Sequence, residues 1–198
     1  MSYSRTVCCA LLALLLTAQL VACGPTNSVK LISPPPLDTS VLPAPNAPRV
    51  SVVCFTDKRA DTSSLGTRRD NSAFTTSDNV ALWVSRALAD ELTRHALQVS
   101  FATNTSQARS ANPDYLVTGR LEEAWLRETS ATEMGANLRA QFSLANRQGR
   151  LLHETLNSSQ SRTGLPSGAA AENLLLDTLR DLVKPMARQI VQNIEAKR

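Results

Sequence analysis

The chain has 198 residues, of which 42% are hydrophobic and 4% aromatic, and its formal net charge at pH 7 is +4. This length and apolar content suit one globular domain with a mainly aliphatic core, and they argue against an intrinsically disordered chain. Its arginines are scattered among acidic residues, which argues against the basic patch of a nucleic-acid-binding protein, so we expect no nucleic-acid partner.

The first 22 residues have the features of a signal peptide. Arg5 precedes an almost unbroken apolar run from Val7 to Val21. That run is shorter than the about 20 apolar residues that span a bilayer, and it matches a secretory signal instead. Loss of Arg5 with the signal lowers the net charge from +4 to +3.

The end of this signal predicts a lipid anchor. Leu-Val-Ala-Cys, ending at Cys23, resembles the lipobox of bacterial lipoproteins, in which the cysteine thiol receives a diacylglyceryl group as a thioether. The alternatives are a secretory signal with an incidental cysteine and a buried N-terminal helix. Gly24 is not the aspartate that favours inner-membrane retention, so the resemblance implies the outer membrane, on its periplasmic side, in preference to the inner membrane.

Residues 24–48 are predicted to be a tether, because they contain seven of the ten prolines. Such a segment reaches on the order of 75 Å as polyproline and nearer 30 Å as a flexible coil. We therefore expect a signal peptide at 1–22, the lipidated cysteine and tether at 23–48, and one domain at 49–198. Of the four cysteines, only Cys54 lies in that domain, where we expect a buried apolar side chain and no disulfide.

The first half of the predicted domain alternates strands and helices. Residues 50–55 are nearly all apolar, as in a strand covered on both faces. After a polar segment, Thr76 or Ser77 is expected to cap a helix that runs to about Ala96. A strand at 98–102 and a short helix or turn at 105–111 follow.

The second half is predicted to be a strand meander and a long helix. Strands are expected at 115–126, 135–146 and 151–159, with a turn at Gln148-Gly149 between the last two. The final helix contains Pro185, where we expect a kink. This order predicts a single α/β (α+β) domain, in which a mixed sheet of about five strands packs against two long helices on one face.

The chain resembles the YajG-type family of small proteobacterial lipoproteins. The resemblance is carried by the lipobox, the proline-bearing tether, the Val-x-Val strand, Asp57-x-Arg59-x-Asp61 and the run from Thr67 to Asn71. It implies a domain similar to the TolB N-terminal domain and to auxiliary lipoproteins of ABC transporters. It brings no catalytic residues, and fold alone does not determine function.

The polar segment after the first strand is the candidate site. It could bind an anionic ligand or an acidic group of a partner, because arginine pairs well with carboxylates and phosphates. The alternative is a set of internal salt bridges that orders the loop. The residues concerned are Asp57, Arg59, Asp61, Arg68, Arg69 and Asp70.

We expect no metal, no cofactor and no enzymatic activity. Asp57 and Asp61 lack the regularly spaced oxygens of a calcium loop, and neither His95 nor His153 has a partner at metal or triad spacing. The expected function is therefore a non-catalytic binding or assembly module, anchored to the membrane through Cys23, that binds an envelope protein or forms a homo-oligomer through a sheet edge. The alternative is a carrier or sensor of a small anionic or lipidic ligand.

Overall fold

The computed structural model describes residues 27–35 and 43–197. The predicted signal peptide and Cys23 lie outside these ranges. Within them, no helix is both long and apolar enough to cross a bilayer.

The centre of the fold is a mixed sheet of five main strands in the order β5-β1-β6-β7-β8. β1 runs parallel to β5 and β6, whereas β6, β7 and β8 form the expected antiparallel meander. The five strands are β1 (Arg49–Val53), β5 (Gln98–Ala102), β6 (Tyr115–Ser130), β7 (Glu133–Ala145) and β8 (Arg150–Thr163).

The polar segment after β1 adds three two-residue strands that the sequence pattern did not predict. β2 (Thr56–Asp57) and β3 (Gly66–Thr67) pair with successive parts of β6, and β4 (Ala73–Phe74) pairs with β3. These strands are too short for an alternating pattern to show. They lay the loop along one edge of β6, which carries β1 at its beginning and β3 near its end.

The two long helices pack on one face of the sheet, as predicted. α1 (Val80–Thr93) and α3 (Gly168–Glu195) share one core with the apolar sides of β1, β6 and β7. The short helix α2 (Thr105–Ser110) covers the opposite face, where Ala108 packs with Val53 and Ala102. Pro185 lies inside α3, which continues without a break on both sides of it.

The cap of α1 differs from the predicted one. Asn79, not Thr76 or Ser77, is the N-cap, and its side chain accepts a hydrogen bond from the Leu82 amide at 2.9 Å. Thr76 instead accepts from the amide of Asp78 in the preceding turn. The sequence contains several capping residues in a row, so only the local backbone decides which of them begins the helix.

A bulge in β6 decides which side chains face the helices. The register between β6 and β7 shifts between Leu121 and Glu123, so that Glu122 is an extra residue. Before the bulge Leu121 points into the core, and after it Leu126 does. Trp125 is thereby turned to the opposite face of the sheet, where its exposed fraction is 36%.

Residues 27–35 correct the predicted tether, because they pack on the domain. Val29 is 1% exposed and belongs to the main core, and its amide donates to the Thr75 carbonyl at 2.8 Å. Trp83 of α1 is covered by this segment and donates from Nε1 to the Ile32 carbonyl at 2.9 Å. The folded domain therefore begins before Arg49. The proline content predicted an extended backbone, but not the apolar surface that receives it.

Candidate functional site

Arg59 is held inside the charged loop by Asp57. Its guanidinium donates to both carboxylate oxygens of Asp57, the shortest contact being 2.8 Å, and Nη1 donates to the Ser64 carbonyl at 3.1 Å. The Arg59 side chain is 6% exposed. Burial acts to raise the pKa of Asp57, but the hydrogen bonds and charge of Arg59 outweigh it and place the pKa below its ordinary value. This pair fixes the loop and leaves little guanidinium surface for a ligand.

Arg68 forms a second ion pair, with Glu128 of β6, and both of its side chains are buried. The Nη2–Oε1 distance is 2.9 Å, and the two side chains are 9% and 8% exposed. Arg68 also donates to Asn27 Oδ1 at 3.1 Å and lies over the ring of Phe74, 5.4 Å from its centroid. These contacts join the loop, β6 and the N-terminal segment.

Asp61 and Asp70 close local turns. Ser63 and Ser64 donate to the carboxylate of Asp61, and their hydrogen bonds lower its pKa to about 2. Asp70 accepts from the hydroxyl and amide of Ser72, which lower the pKa of Asp70 as well. Both aspartates are exposed, but their oxygens are directed to their own loop.

The loop therefore has the internal contacts that the salt-bridge alternative expects. Of the three candidate arginines, Arg69 is the exposed one, and its backbone amide donates to Glu128. Asp57 and Asp61 do not meet in a carboxylate pair, because each binds different partners. The strongest ion pairs of the segment are structural.

Two adjoining clefts, of about 340 and 540 Å³, lie at the opposite end of the sheet. Arg147 and Asp114 line both of them. Asp114 is paired with Arg49 at 3.3 Å, and Arg147 donates to Asn112 at 2.8 Å. Both clefts are open to solvent and have walls of mixed charge, which is weak support for a selective anion site.

Cys54 and His153 have local hydrogen-bond partners. Cys54 is half-buried beside Ser85, at 3.9 Å, and His153 Nδ1 lies 2.6 Å from the hydroxyl of Ser143. His95 is exposed just after α1. In residues 27–35 and 43–197, no three His, Cys, Asp or Glu side chains come together as metal ligands.

A broad polar face of β6, β7 and β8 lies opposite the long helices. α2 covers the sheet only around β1, β5 and Leu116 at the start of β6. Beyond it, every second side chain of β8 is exposed and polar, and none of these side chains is acidic, lysine or arginine. These five residues are His153, Thr155, Asn157, Ser159 and Ser161. We call this surface, together with the facing residues of β6 and β7, the open face.

Trp125 is the large apolar side chain of the open face. It packs beside Gly135 of β7, and Arg127 lies over its ring, 5.6 Å from the centroid. Next to it, Glu123 accepts from Asn137 at 3.0 Å and from Arg139 at 3.5 Å. The tryptophan is thus a partly exposed anchor within a hydrogen-bonded polar surface. Two adjacent glutamates at 122–123, which break the strand alternation, are the sequence signal for this orientation.

β8 is also an edge of the sheet. It pairs with β7 along nearly its whole length, and no other described strand pairs with it. Edge strands present unpaired backbone amides and carbonyls that a further strand can bind. The open face and this edge are therefore contiguous.

Comparisons with known proteins identify the fold. No known family model matches the chain, and no curated protein matches its sequence. Protein XCC0632 from Xanthomonas campestris, of family DUF330, has 10% identity and a TM-score of 0.55, with 87% of this chain and 96% of that chain covered. An uncharacterized protein has 8% identity and a TM-score of 0.52, with 82% and 97% covered.

Bacterial lipoproteins are among the more distant structural neighbours. Lipoprotein GNA1162 from Neisseria meningitidis has 13% identity and a TM-score of 0.40, with 73% of this chain and 99% of that chain covered. The YajG-type family is not confirmed by these comparisons. At such identities a likeness shows the fold alone. The chain is therefore a single mixed α/β domain with the fold of the DUF330 protein XCC0632.

Proposed function

We propose that the chain is a lipid-anchored, periplasm-facing lipoprotein of the outer membrane that binds another envelope protein without catalysing a reaction. The observation that carries the proposal is Trp125, a partly exposed tryptophan on a sheet face that no long helix covers. Tryptophan and arginine are the residues that most often dominate binding energy at protein interfaces. Here Arg127 lies directly over the tryptophan ring.

The free edge of β8 favours a protein as the partner. A strand added to this edge would bond to backbone groups, while its side chains met the polar row of the open face. Specificity would then come from Trp125 and the side chains around it. A second copy of this chain is the alternative occupant.

Crosslinking in intact cells tests this surface. A photoreactive residue at Ser159, on the open face of β8, is expected to capture a partner protein. The same residue at Glu154, which is exposed on the other face of that strand, is the matched control and is expected to capture much less. Trp125→Ala should abolish the Ser159 adduct while the domain remains folded, as circular dichroism checks.

Two outcomes would change the proposal. Equal capture from Ser159 and Glu154, or from neither, contradicts a partner on the open face. An adduct of twice the chain's mass assigns the open face to a second copy.

The anchor has its own test. Cys23→Ala is expected to release the protein from the membrane fraction and to stop incorporation of radiolabelled palmitate. Separation of the inner and outer membranes then shows which of them contains the protein without the substitution. Palmitate labelling of the Cys23→Ala variant would contradict the assignment.

The alternative function, a carrier or sensor of a small anion at the charged loop, has less support. Arg59 and Arg68 are already paired with the carboxylates of Asp57 and Glu128, so a ligand would have to break these pairs. Binding of inorganic phosphate that is weakened by Arg69→Ala, measured by calorimetry, would revive this alternative.

A further inference from the structure

Residues 27–35 form an extended segment that is fixed to the domain at several points. Thr75 donates to the Asn27 carbonyl at 2.9 Å, and the Leu31 amide donates to Asp78 at 2.9 Å. Towards the other end of α1, Arg94 donates to the Pro35 carbonyl at 3.1 Å. The segment thus begins beside the charged loop and runs along α1, and this places the N-terminal end of the described chain at one defined end of the sheet.

The distance from this point to the predicted lipid is short. Three residues separate Cys23 from Asn27, so their Cα atoms can be at most about 14 Å apart. The headgroup layer of one leaflet is roughly 5–8 Å thick. A lipid on Cys23 would therefore hold Asn27 in the headgroup layer or less than about 10 Å above it.

Leu165 lies at the same end of the sheet and is the most exposed large apolar side chain of the described residues. Its exposed fraction is 83%. The preceding residue, Gly164, donates to the Thr132 carbonyl in the β6–β7 turn at 2.8 Å. Asn27 binds Arg68, which is paired with Glu128 near the end of β6. Leu165 and Asn27 therefore flank the same end of β6.

A further hydrogen bond links the two features. Lys30, in the N-terminal segment, donates from its amide to Glu172 near the start of α3 at 3.1 Å. Leu165 lies three residues before the first residue of α3, Gly168. The loop that carries Leu165 is thus tied to the end of the domain where the chain leads to Cys23.

We propose that this end of the domain is a membrane-contact surface, at which Leu165 inserts between the lipids of the leaflet that holds Cys23. The proposal rests on the lipid anchor proposed above and adds to it an orientation of the domain. A leucine at the level of the acyl chains loses its contact with water, which stabilises the contact once the anchor has brought it there. The anchor and the packed segment supply that proximity.

The charges at this end predict a contact that does not depend on the charge of the lipid headgroup. Exposed Lys30 and Arg69 are accompanied by exposed Asp70 and Glu133, so neither sign dominates. Anionic lipid is therefore expected to have little influence on the orientation. The open face stands beside this end, so a domain held in this way keeps it directed along the membrane surface, within reach of membrane-bound partners.

Site-directed fluorescence on the full lipidated protein tests the orientation. In a Cys54→Ala background, an environment-sensitive dye is attached at Leu165→Cys or, as the matched control, at Gln148→Cys. Gln148 is exposed in the β7–β8 turn at the opposite end of the sheet. In phosphatidylethanolamine vesicles that contain lipids with a nitroxide near the headgroup end of the acyl chain, the dye at 165 should be quenched several-fold more than the dye at 148.

A longer connection to the anchor should remove this difference. Inserting about ten Gly/Ser residues between Thr26 and Asn27 extends the reach to roughly 50 Å, and we expect weaker quenching at 165. The same insertion after Asp38, beyond the packed segment, should leave the quenching unchanged.

The readouts separate failure of the anchor from failure of the orientation. Protein that lacks palmitate and does not bind vesicles contradicts the lipid anchor. Protein that carries the lipid and binds, but shows equal quenching at 165 and 148, overturns the membrane-contact surface. A blue-shifted but unquenched dye at 165 also overturns it, because Leu165 would then be buried against a second copy.

Discussion

Arg68 shows why charged residues in a loop are not by themselves a binding site. It has the chemistry to bind an anion, but Glu128 reaches it from a strand 60 residues later. An ion pair of this kind lies out of solvent, and its partners depend on each other because a buried charge left alone is strongly unfavourable. The same reasoning applies to Arg59, whose carboxylate partner is only two residues away.

The mutual dependence of Arg68 and Glu128 predicts a specific pattern of stability. Arg68→Met is expected to lower the free energy of unfolding by about 3 kcal/mol, because it leaves the Glu128 carboxylate buried without its cation. Adding Glu128→Leu should recover most of that loss. Urea unfolding of the chain from Gly24 onward measures both variants. Equal losses in the single and double variants would contradict a structural ion pair.

Asp61 predicts a dependence on pH. Since hydrogen bonds from Ser63 and Ser64 lower its pKa from 3.8 to about 2 in the folded state, its contribution to stability is present above about pH 4 and is lost as the pH falls towards 2. Asp61→Asn should therefore be less stable than the parent at pH 7, and the difference should shrink on acidification. Thermal unfolding followed by circular dichroism measures the change.

Asp90 is a control, because its pKa is shifted in the opposite direction to that of Asp61. Burial raises the pKa of Asp90, and the charges of Arg94 and Arg86 offset this only in part. Any stability linked to its raised pKa is present at low pH and is lost as the pH rises through that pKa. Asp90→Asn should thus gain stability relative to the parent between pH 2 and pH 7, whereas a parallel response of both variants would contradict the hydrogen-bond assignment at Asp61.

At the scale of the elements, β6 organises the molecule. It pairs with β7 along one edge and with β1, β2 and β3 in turn along the other. The bulge at Glu122 allows one long strand to keep apolar residues against the helices at both of its ends. The same bulge directs Trp125 to the open face.

Close packing along β6 predicts different effects for two glycine substitutions. A Cβ at Gly119 would lie 2.6 Å from the Phe55 ring and 2.7 Å from the Gln141 carbonyl, whereas at Gly135 its nearest neighbours would be 3.8 Å away. Gly119→Ala should lower the free energy of unfolding by about 1–3 kcal/mol. Gly135→Ala should change it by less than about 0.5 kcal/mol. Urea denaturation compares the two, and similar effects would contradict this packing.

At the scale of the whole molecule, residues 27–35 of the predicted tether are part of the folded domain. Val29 fills a position in the same apolar cluster as the helices and the sheet, and Trp83 hydrogen-bonds beneath the segment. The segment therefore stabilises the domain, and it also leads towards the proposed lipid anchor at Cys23. Because residues 27–35 are packed on the domain, the fold limits how far the domain can lie from the proposed anchor.

Truncation and substitution of this segment test its contribution. Val29→Ala is expected to lower the free energy of unfolding by about 1.6 kcal/mol, from the two methylene equivalents that it removes from the core. Ser33→Ala, at an exposed position, should change it by less than about 0.5 kcal/mol. A chain that begins at Arg49 should be less stable than the Val29→Ala variant. Equal urea midpoints for the chains from Gly24 and from Arg49 would show that the segment adds nothing.

The sequence by itself determined the class and order of the main elements. Val80, Val84, Leu88 and Leu92 repeat every four residues in α1, and apolar residues alternate with polar ones in β7. Such patterns show which side chains meet the core. The five main strands and both long helices were therefore predicted, with ends that differ by a few residues. The lipobox at Cys23 predicts an anchor by its own chemistry. Such features depend on neighbouring residues along the chain, and a single sequence displays them directly.

Only the tertiary structure decided the partners of residues that are distant in the chain. It paired Arg68 with Glu128, placed Val29 in the main core, and turned Trp125 towards the open face. In each case the outcome depends on strand register, a bulge or an apolar surface formed elsewhere, and local periodicity contains no record of these. For this reason the proposed interaction surface is the open face and not the charged loop.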